Sequence, residues 1–233
     1  MVKLSYPSTQ IREFMRLVDF VADGIRYQNA RVEQGEGIYD VIRLAFGSSL
    51  DEDCEGCMDT EDVRQQLQRF PEGQFVALDG VLVVAYAATM RTSYPPEQHP
   101  KTWMAMLGDL GLRNHEPRGD WLYGAEMAVR PDYHGYGIGT QLYEIRFDLV
   151  RRLNLRGWYA AGMLMGYPRY RHQMSVAEYG WKVIRRELDD PTVTMQMNRG
   201  FEARTVIEEY MEEPLAGNAA VLIVWKNPDY HER

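Results

Sequence analysis

Cysteine is nearly absent from this chain: two residues, Cys54 and Cys57, stand in 233. A Cys-x-x-Cys pair is the start of a zinc site or of a redox site. A zinc site needs two further ligands, and the sequence offers neither a second cysteine pair nor two histidines at ligand spacing. The neighbours from Asp51 to Asp62 are mostly carboxylates. These keep a thiol protonated instead of activating it, so the pair reads as part of a solvated loop and no metal is expected. An excess of basic residues is also missing. Lys and Arg number 26 against 34 Asp and Glu, a net charge of −8, which argues against nucleic acid or an anionic membrane as main partner. Long apolar runs are missing too. Val81 to Ala88 and Ala219 to Trp225 are only strand-sized, and Met1 to Gln10 has no basic-then-apolar leader pattern. The expectation is a soluble, cytoplasmic protein. No internal repeat or low-complexity tract interrupts it.

Apolar residues make up 45% of the chain, enough for one sizeable core. Residues 9–21 carry Ile11, Phe14, Met15, Val18 and Val21 at helical spacing, and 25–32 read as a strand. A helix over 37–46 stops at Gly47, and another opens at Thr60, which is placed as its N-cap. Strand-like runs at 74–78 and 81–90 flank Asp79-Gly80, a hairpin signal. Residues 91–120 form a connection long enough to suggest a function of its own. A strand over 121–129, a glycine loop, a helix over 141–155 and a strand over 158–165 follow. Helices over 175–188 and 192–199 and strands over 201–211 and 219–225 complete the pattern.

The loop is the most telling segment: Val129-Arg-Pro-Asp-Tyr-His-Gly-Tyr-Gly-Ile-Gly-Thr140. A strand, a glycine loop and a helix start together make an anion cradle, because loop N–H groups and the positive end of the helix dipole converge. Gly135, Gly137 and Gly139 at alternate positions let the backbone approach a phosphate with no Cβ in the way. Walker A needs a lysine after its last glycine, and here Thr140 and Gln141 follow. The dinucleotide fingerprint spaces its glycines differently.

The segment resembles the coenzyme A loop of the GNAT N-acetyltransferase superfamily. That loop reads Val-x-Pro, a short spacer, then Gln/Arg-x-x-Gly-x-Gly/Ala opening a helix; His134 stands in the Gln/Arg place. The order of elements over about 24–226 also resembles that fold. The resemblance implies an α/β (α+β) fold with a mixed, mostly antiparallel sheet flanked by helices. Its fourth and fifth strands, here 121–129 and 158–165, run parallel and then splay apart. It implies a GNAT-like domain over 24–233. The helical extension before it, residues 1–23, falls outside the resemblance, and its apolar face reads as core padding or as the arm of a homodimer. It implies acetyl-CoA as co-substrate and a small-molecule or peptide amine as acceptor. The family's closing Leu-Tyr-x-x-x-Gly-Phe is matched by Met195 to Phe201 in its Gly-Phe, but Gln196 replaces the tyrosine that many relatives use as general acid. Gly162 to Tyr170 with Asp190-Pro191-Thr192 also resembles acetyltransferase modules that some bacteria fuse to a nitrilase-type hydrolase.

Acetyl transfer to an amine needs a base, because an alkyl ammonium with a pKa of about 10.4 is protonated at neutral pH. Glu126, three residues before Val129, is the candidate base, with Tyr123 as fallback. Strict alternation puts Glu126 on a face with Leu122 and Ala128, opposite Tyr123, Met127 and Val129; a bulge would reverse this. A solvent-facing Glu126 is the plain alternative. A backbone N–H near Met127 or Val129 is the candidate oxyanion donor. The amides of His134, Gly135, Tyr136, Gly137, Ile138, Gly139 and Thr140 are the candidate pyrophosphate ligands. For the leaving thiolate, Tyr143, Tyr167 and Tyr170 stand as candidate acids, or the thiolate leaves unaided. His115 and Asp120 read as a loop pair, and Arg169, Arg171 and His172 as a basic cluster for a nucleotide phosphate. Two other classes stay open: a catalytically silent acyl-CoA sensor or interaction module, and a nucleotide-binding protein of another fold.

Overall fold

The computed structural model describes residues 17–47, 56–99 and 102–232. These divide into two compact units, one comprising the described residues up to Ala87 with Met127–Leu153, the other Ala88–Glu126 with those from Asn154 onward. Two strands, β4 (Leu82–Thr92) and β5 (Trp121–Val129), run through both.

In the first unit the strand order is β1 (Asp19–Ala22), β2 (Ile25–Asn29), β3 (Gln74–Asp79), β4, β5. Strands β1 and β2 pair antiparallel with Asp19 opposite Gln28, and β2 pairs antiparallel with β3. Residues 19–21 are thus strand and not the end of a helix over 9–21; the earlier part of that predicted helix lies outside the described residues. The Phe20 ring stacks on Tyr27 across the pair, with centroids 5.2 Å apart. Asn29 fixes the strand start, its Oδ1 accepting from Val18 N–H at 2.7 Å and its Nδ2 donating to the carbonyls of Pro71, Glu72 and Gln74. Helix α1 (Gly35–Ala45) buries Ile38, Val41 and Ile42 at a spacing that keeps them on one face. Helix α2 (Thr60–Arg69) is capped by Asp59, one residue before the predicted cap. The Asp59 carboxylate accepts from Asp62 N–H at 2.9 Å, and the Asp62 carboxylate accepts from Asp59 N–H at 3.1 Å. A carboxylate at the N-cap also complements the helix dipole, an advantage over the neighbouring threonine. Cys57, just before this helix, is disulfide-bonded; Cys54 lies outside the described residues.

In the second unit the order is β4, β5, β6 (Gly157–Met163), β8 (Ala220–Lys226), β7 (Glu202–Ile207). Strands β5 and β6 are parallel, while β6–β8 and β8–β7 are antiparallel. The parallel pairing covers Trp121 to Tyr123 against Gly157 to Tyr159. Strand β6 continues to Met163 in register with β8. The two parallel strands therefore part after Tyr123, the expected splay. Between β4 and β5 the connection folds into helix α3 (Trp103–Leu107), capped by Thr102. Helices α5 (Val176–Ile184) and α6 (Val193–Asn198) pack on β6, β7 and β8. Asp190, 1% exposed, ties them together. It accepts from the N–H groups of Gly166 at 2.8 Å, Thr192 at 2.8 Å and Val193 at 2.9 Å, and from the Tyr179 hydroxyl at 3.1 Å. Met90, Met106, Leu107, Leu112, Tyr123, Tyr159, Leu222 and Val224 form the core here.

The result is a mixed, mostly antiparallel sheet flanked by helices, with one splayed parallel pair. Among the described residues no helix is long and apolar enough to cross a membrane, and no group of three or more His, Cys, Asp and Glu is placed to hold a metal ion.

Candidate functional site

The glycine loop lies in the first unit. After β5, Arg130 N–H donates to Val84 C=O at 2.9 Å, and Pro131–Tyr133 makes one turn of 3-10 helix. Because N–H groups alternate between the two edges of a strand, Met127 and Val129 direct theirs to the edge away from β4. The Tyr133 hydroxyl donates to Asp79 Oδ2 at 2.8 Å and anchors the loop. His134 is exposed and its ring Nε2 lies 3.1 Å from Val129 O. Its N–H is already committed to Pro131 C=O at 3.2 Å. Gly135 and Gly137 have φ of +87° and +77°, and a Cβ on either would meet nothing within 4 Å. Only glycine adopts this left-handed backbone without strain, and the space outside both residues is open. Tyr136 between them is 68% exposed.

Helix α4 (Ile138–Arg152) starts three residues earlier than its apolar spacing suggests, directly at the loop, with Gly137 as N-cap. Its first internal bond runs from Gln141 N–H to Gly137 C=O at 3.2 Å. The amides of Ile138 and Gly139 come before that bond and point out of the helix start. Leu142, Ile145 and Leu149 anchor the helix through its buried face. Arg146 is buried with them, its Nε donating to Leu142 C=O at 3.0 Å and its Nη2 lying 2.8 Å from Met127 Sδ. Desolvation lowers its pKa to about 10, against a smaller opposing effect of Tyr143. Tyr143 is itself buried under that guanidinium, 4.6 Å away.

The second unit holds an aromatic cluster on β5 and β6. Tyr123 and Tyr159 are wholly buried, and the Tyr123 hydroxyl shares a 2.7 Å hydrogen bond with that of Tyr210. His99 lies beside them, its Nε2 3.4 Å from the Tyr123 hydroxyl and its ring centroid 5.5, 5.9 and 6.2 Å from those of Tyr123, Tyr159 and Tyr210. Tyr210 is fixed through its backbone: its C=O accepts from Trp103 N–H at 2.9 Å and its N–H donates to Asn218 C=O at 2.7 Å. Past the splay, Ala125 C=O accepts from the Trp103 indole N–H at 2.9 Å.

Burial raises the Tyr123 phenol well above the ordinary tyrosine value, and the neighbouring Tyr210 and the Glu126 charge push the same way. Tyr210 is raised chiefly by burial and also by Glu126, although its bond to Tyr123 opposes this. Glu126 is half-buried. Trp121, Tyr123 and Ala125 turn toward the cluster, so alternation directs Glu126 to the other face of β5, yet its charge still acts on both phenols.

The other residues singled out by the sequence have local duties. His115 Nδ1 accepts from Arg91 N–H at 3.1 Å, and Asp120 pairs with Arg156. The Tyr167 hydroxyl donates to Met174 C=O at 3.2 Å, and Tyr170 stacks on Tyr179 at 5.1 Å. Arg171 Nε donates to His172 at 3.2 Å. Gln196 is buried, and a Cβ on Gly162 of β6 would overlap its side-chain oxygen. Its side chain fills the space that the missing Cβ of Gly162 leaves. His99, Tyr159, Tyr210 and Trp103 belong to no motif that the sequence displays. The one hint is Tyr210 standing alone among Glu208, Glu209, Glu212 and Glu213.

No family model matches the chain. Two proteins of Bacillus subtilis (strain 168) are similar in sequence. A probable hydrolase, YhcX, is 32% identical over 185 residues, 78% of this chain, and the chain spans only 36% of that relative's length. An uncharacterized N-acetyltransferase, YkwB, is 26% identical over 218 residues, covering 91% of this chain and 95% of the relative. Among solved structures, the GphF GNAT-like decarboxylase in complex with isobutyryl-CoA superposes with a TM-score of 0.72 at 18% identity, over 87% of this chain and 98% of that one. YncA of Salmonella typhimurium, a putative acetyltransferase with its cofactor acetyl-CoA, gives 0.56 at 11% identity over 90% and 98%. The parted parallel strands, the glycine loop at the start of α4 and these likenesses agree: the chain has the fold of the GNAT-like proteins on which it superposes.

Proposed function

We propose that the chain is an acyl-CoA-dependent N-acetyltransferase that moves an acetyl group from acetyl-CoA to a primary amine by direct attack. The observation that carries this reading is the loop from Val129 to Thr140, where two left-handed glycines open onto free space at a helix start. The amides from Gly135 to Thr140 suit a pyrophosphate, by charge and by absence of side chains.

Bound acetyl-CoA supplies an activated thioester carbonyl. The N–H groups of Met127 and Val129, on the edge away from β4, suit its oxygen as charge develops there. Glu126 takes the proton of the attacking amine, directly or through a water. Tyr123 is protonated at neutral pH, as a phenol with an ordinary pKa of about 10 is, and burial raises it further, which makes it a donor and not a base. It gives a proton to the departing sulfur, and the proton taken up by Glu126 then restores the phenol pair, whose hydroxyls share a 2.7 Å hydrogen bond. One C–N bond forms, one C–S bond breaks, the amine loses one proton and the thiolate gains one. No acetyl-enzyme stage is needed.

A second reading is favoured by one observation, the closer superposition on the decarboxylase than on YncA, 0.72 against 0.56. In it the same loop holds an acyl-CoA that loses carbon dioxide. The carboxylates near the phenols, Glu126, Glu97 and Glu116, would repel a carboxylated acyl chain, so amine transfer is preferred.

The test is ligand stabilisation followed by turnover. Acetyl-CoA at 100 times its dissociation constant should stabilise the fold by about 2.7 kcal/mol, with ATP and NAD clearly weaker. Free thiol should then appear only with an amine present. Equal shifts for all three ligands overturn the reading. Binding without turnover points to an acyl-CoA sensor, and carbon dioxide release to the second reading.

A further inference from the structure

A cavity of about 520 Å³ opens in the second unit. Its size is that of a small-molecule pocket. Residues 204–208 of β7 and the turn after it, Leu222 of β8, and Pro96, Glu97 and His99 from the long connection line it. The register of β7 against β8 slips at Arg204, so that Ala203 faces Ile223 and Thr205 faces Leu222. Such a bulge bends the strand and re-aims its side chains.

The cavity adjoins the cluster that holds one candidate catalytic residue, Tyr123. Ile207 and Leu222 both line it and pack in the cluster that holds Tyr123 and Tyr159. His99 on its wall contacts the Tyr123 hydroxyl at 3.4 Å. Whatever enters it therefore lies one side chain, His99, away from the Tyr123 hydroxyl.

The lining selects by charge. Pro96, Val206, Ile207 and Leu222 give apolar wall. Glu97 and Glu208 bring two negative charges, and both are exposed on the cavity side of their segments. The one guanidinium of the lining, Arg204, has its Nη2 on a carboxylate, Glu202 Oε2 at 2.8 Å, while its buried Nε makes no hydrogen bond among the described residues, so the two glutamates outnumber a cation that is half neutralised. Glu97 also raises the buried Tyr159 phenol, though less than burial itself does, so its field reaches inward. An apolar body with a positive charge suits this wall, and a carboxylate does not.

We propose that this cavity is the acceptor site and that it takes a small cationic amine with an apolar body and no carboxylate. The inference rests on the acetyltransferase reading and adds the substrate class to it.

A matched series tests it: phenethylamine, phenylalaninamide and phenylalanine share ring and amine and differ in the carboxylate. Each is assayed with acetyl-CoA and the full chain at low ionic strength, beside a short peptide with a free N-terminus. Phenethylamine and phenylalaninamide should exceed phenylalanine in kcat/KM by about tenfold or more. The double variant Glu97→Gln/Glu208→Gln should raise the KM for phenethylamine by about tenfold and narrow the gap to phenylalanine, while acetyl-CoA stabilises it as it does the wild type. Phenylalanine matching phenethylamine, the peptide outrunning an idle phenethylamine, or an unchanged KM in the double variant each overturns the inference. Acetyl-CoA stabilisation in the same samples separates the two failures. Where it is present, only the acceptor class falls; where it is absent, the acetyltransferase reading falls and the acceptor class with it.

Discussion

The Tyr123 hydroxyl lies 2.7 Å from that of Tyr210, a residue 87 positions further along the chain. Both are buried, so the bond replaces what water would otherwise supply, and Tyr123 has only the longer contact to His99 Nε2, 3.4 Å, beside it. Removing one leaves the other's hydroxyl short of a bond. Tyr123→Phe and Tyr210→Phe should each destabilise the fold by about 1–3 kcal/mol. The double variant should lose less than their sum, because both ends of the bond are then gone. Urea denaturation of the three variants measures this; additive losses would mean the two hydroxyls do not depend on each other. If Tyr123 is the proton donor, Tyr123→Phe should also slow turnover, at the lower end of the roughly 10²–10⁴-fold range for acid–base catalysis. A thiol with a pKa of about 8.5 leaves tolerably unaided.

The same burial sets a pH dependence. Tyr123, Tyr159 and Tyr210 all titrate above the ordinary tyrosine value, chiefly because burial disfavours the phenolate. The unfolded chain releases these protons near pH 10, while the folded chain keeps them. Above that pH the unfolded state binds fewer protons, so stability falls as pH rises. It is fully present below about pH 10 and is lost toward the raised folded values. In an alkaline titration a set of phenols should ionise only together with unfolding. Smooth ionisation of all fifteen tyrosines in a chain that stays folded would contradict the buried cluster.

Strand β5 is legible in the sequence to its ends, and so is the loop after it. Their signals are local: an apolar run, a Val-x-Pro boundary, glycines at alternate positions. The hairpin of β3 and β4 is legible for the same reason, its turn glycine, Gly80, having φ +58°. Strand β1 is not, because four residues carry too little period to separate 2 from 3.6; its pairing with β2 decides the matter, and pairing is not local. The His99, Tyr123 and Tyr210 contact has no local signature at all. Three residues from the connection, from β5 and from beyond β7 meet only because the chain folds. Gln196 stands out in the sequence as a departure from a family pattern, but its meaning needs the structure, where its side chain fills the space over Gly162.

Gly137 tests the loop. Its φ of +77° lies in the left-handed region, and nothing stands within 4 Å of where a Cβ would go. Asparagine and aspartate tolerate that backbone best among residues with side chains, at a cost of roughly 1–2 kcal/mol. Gly137→Asn and Gly137→Asp should therefore fold with similar, modestly lowered stability. Only the aspartate adds a negative charge facing the proposed pyrophosphate. Acetyl-CoA affinity should drop in the asparagine variant and vanish in the aspartate variant, as read by calorimetry. Native affinity in Gly137→Asp would place the phosphates elsewhere.

Glu126 is the base in the proposed mechanism, and its replacement is the most exposed prediction. Its carboxylate acts on the Tyr123 and Tyr210 phenols, and it stands one residue before Met127, whose N–H suits the carbonyl oxygen. Glu126→Gln keeps the size of the side chain and removes its basicity. Turnover near neutral pH should fall by roughly 10²–10⁴-fold with acetyl-CoA affinity little changed. Raising the pH toward the amine's own pKa of about 10.4 should restore part of the rate, because the acceptor then sheds its proton unaided. The profile must be read below the pH at which the buried phenols destabilise the fold, so the recovery should appear as a rising limb between neutrality and about pH 9.5. Wild-type turnover at neutral pH in this variant would remove Glu126 from the mechanism. A lowered rate with no rising limb would assign it to holding the phenol pair in place and leave the base to be found among the cavity's own groups, His99 first.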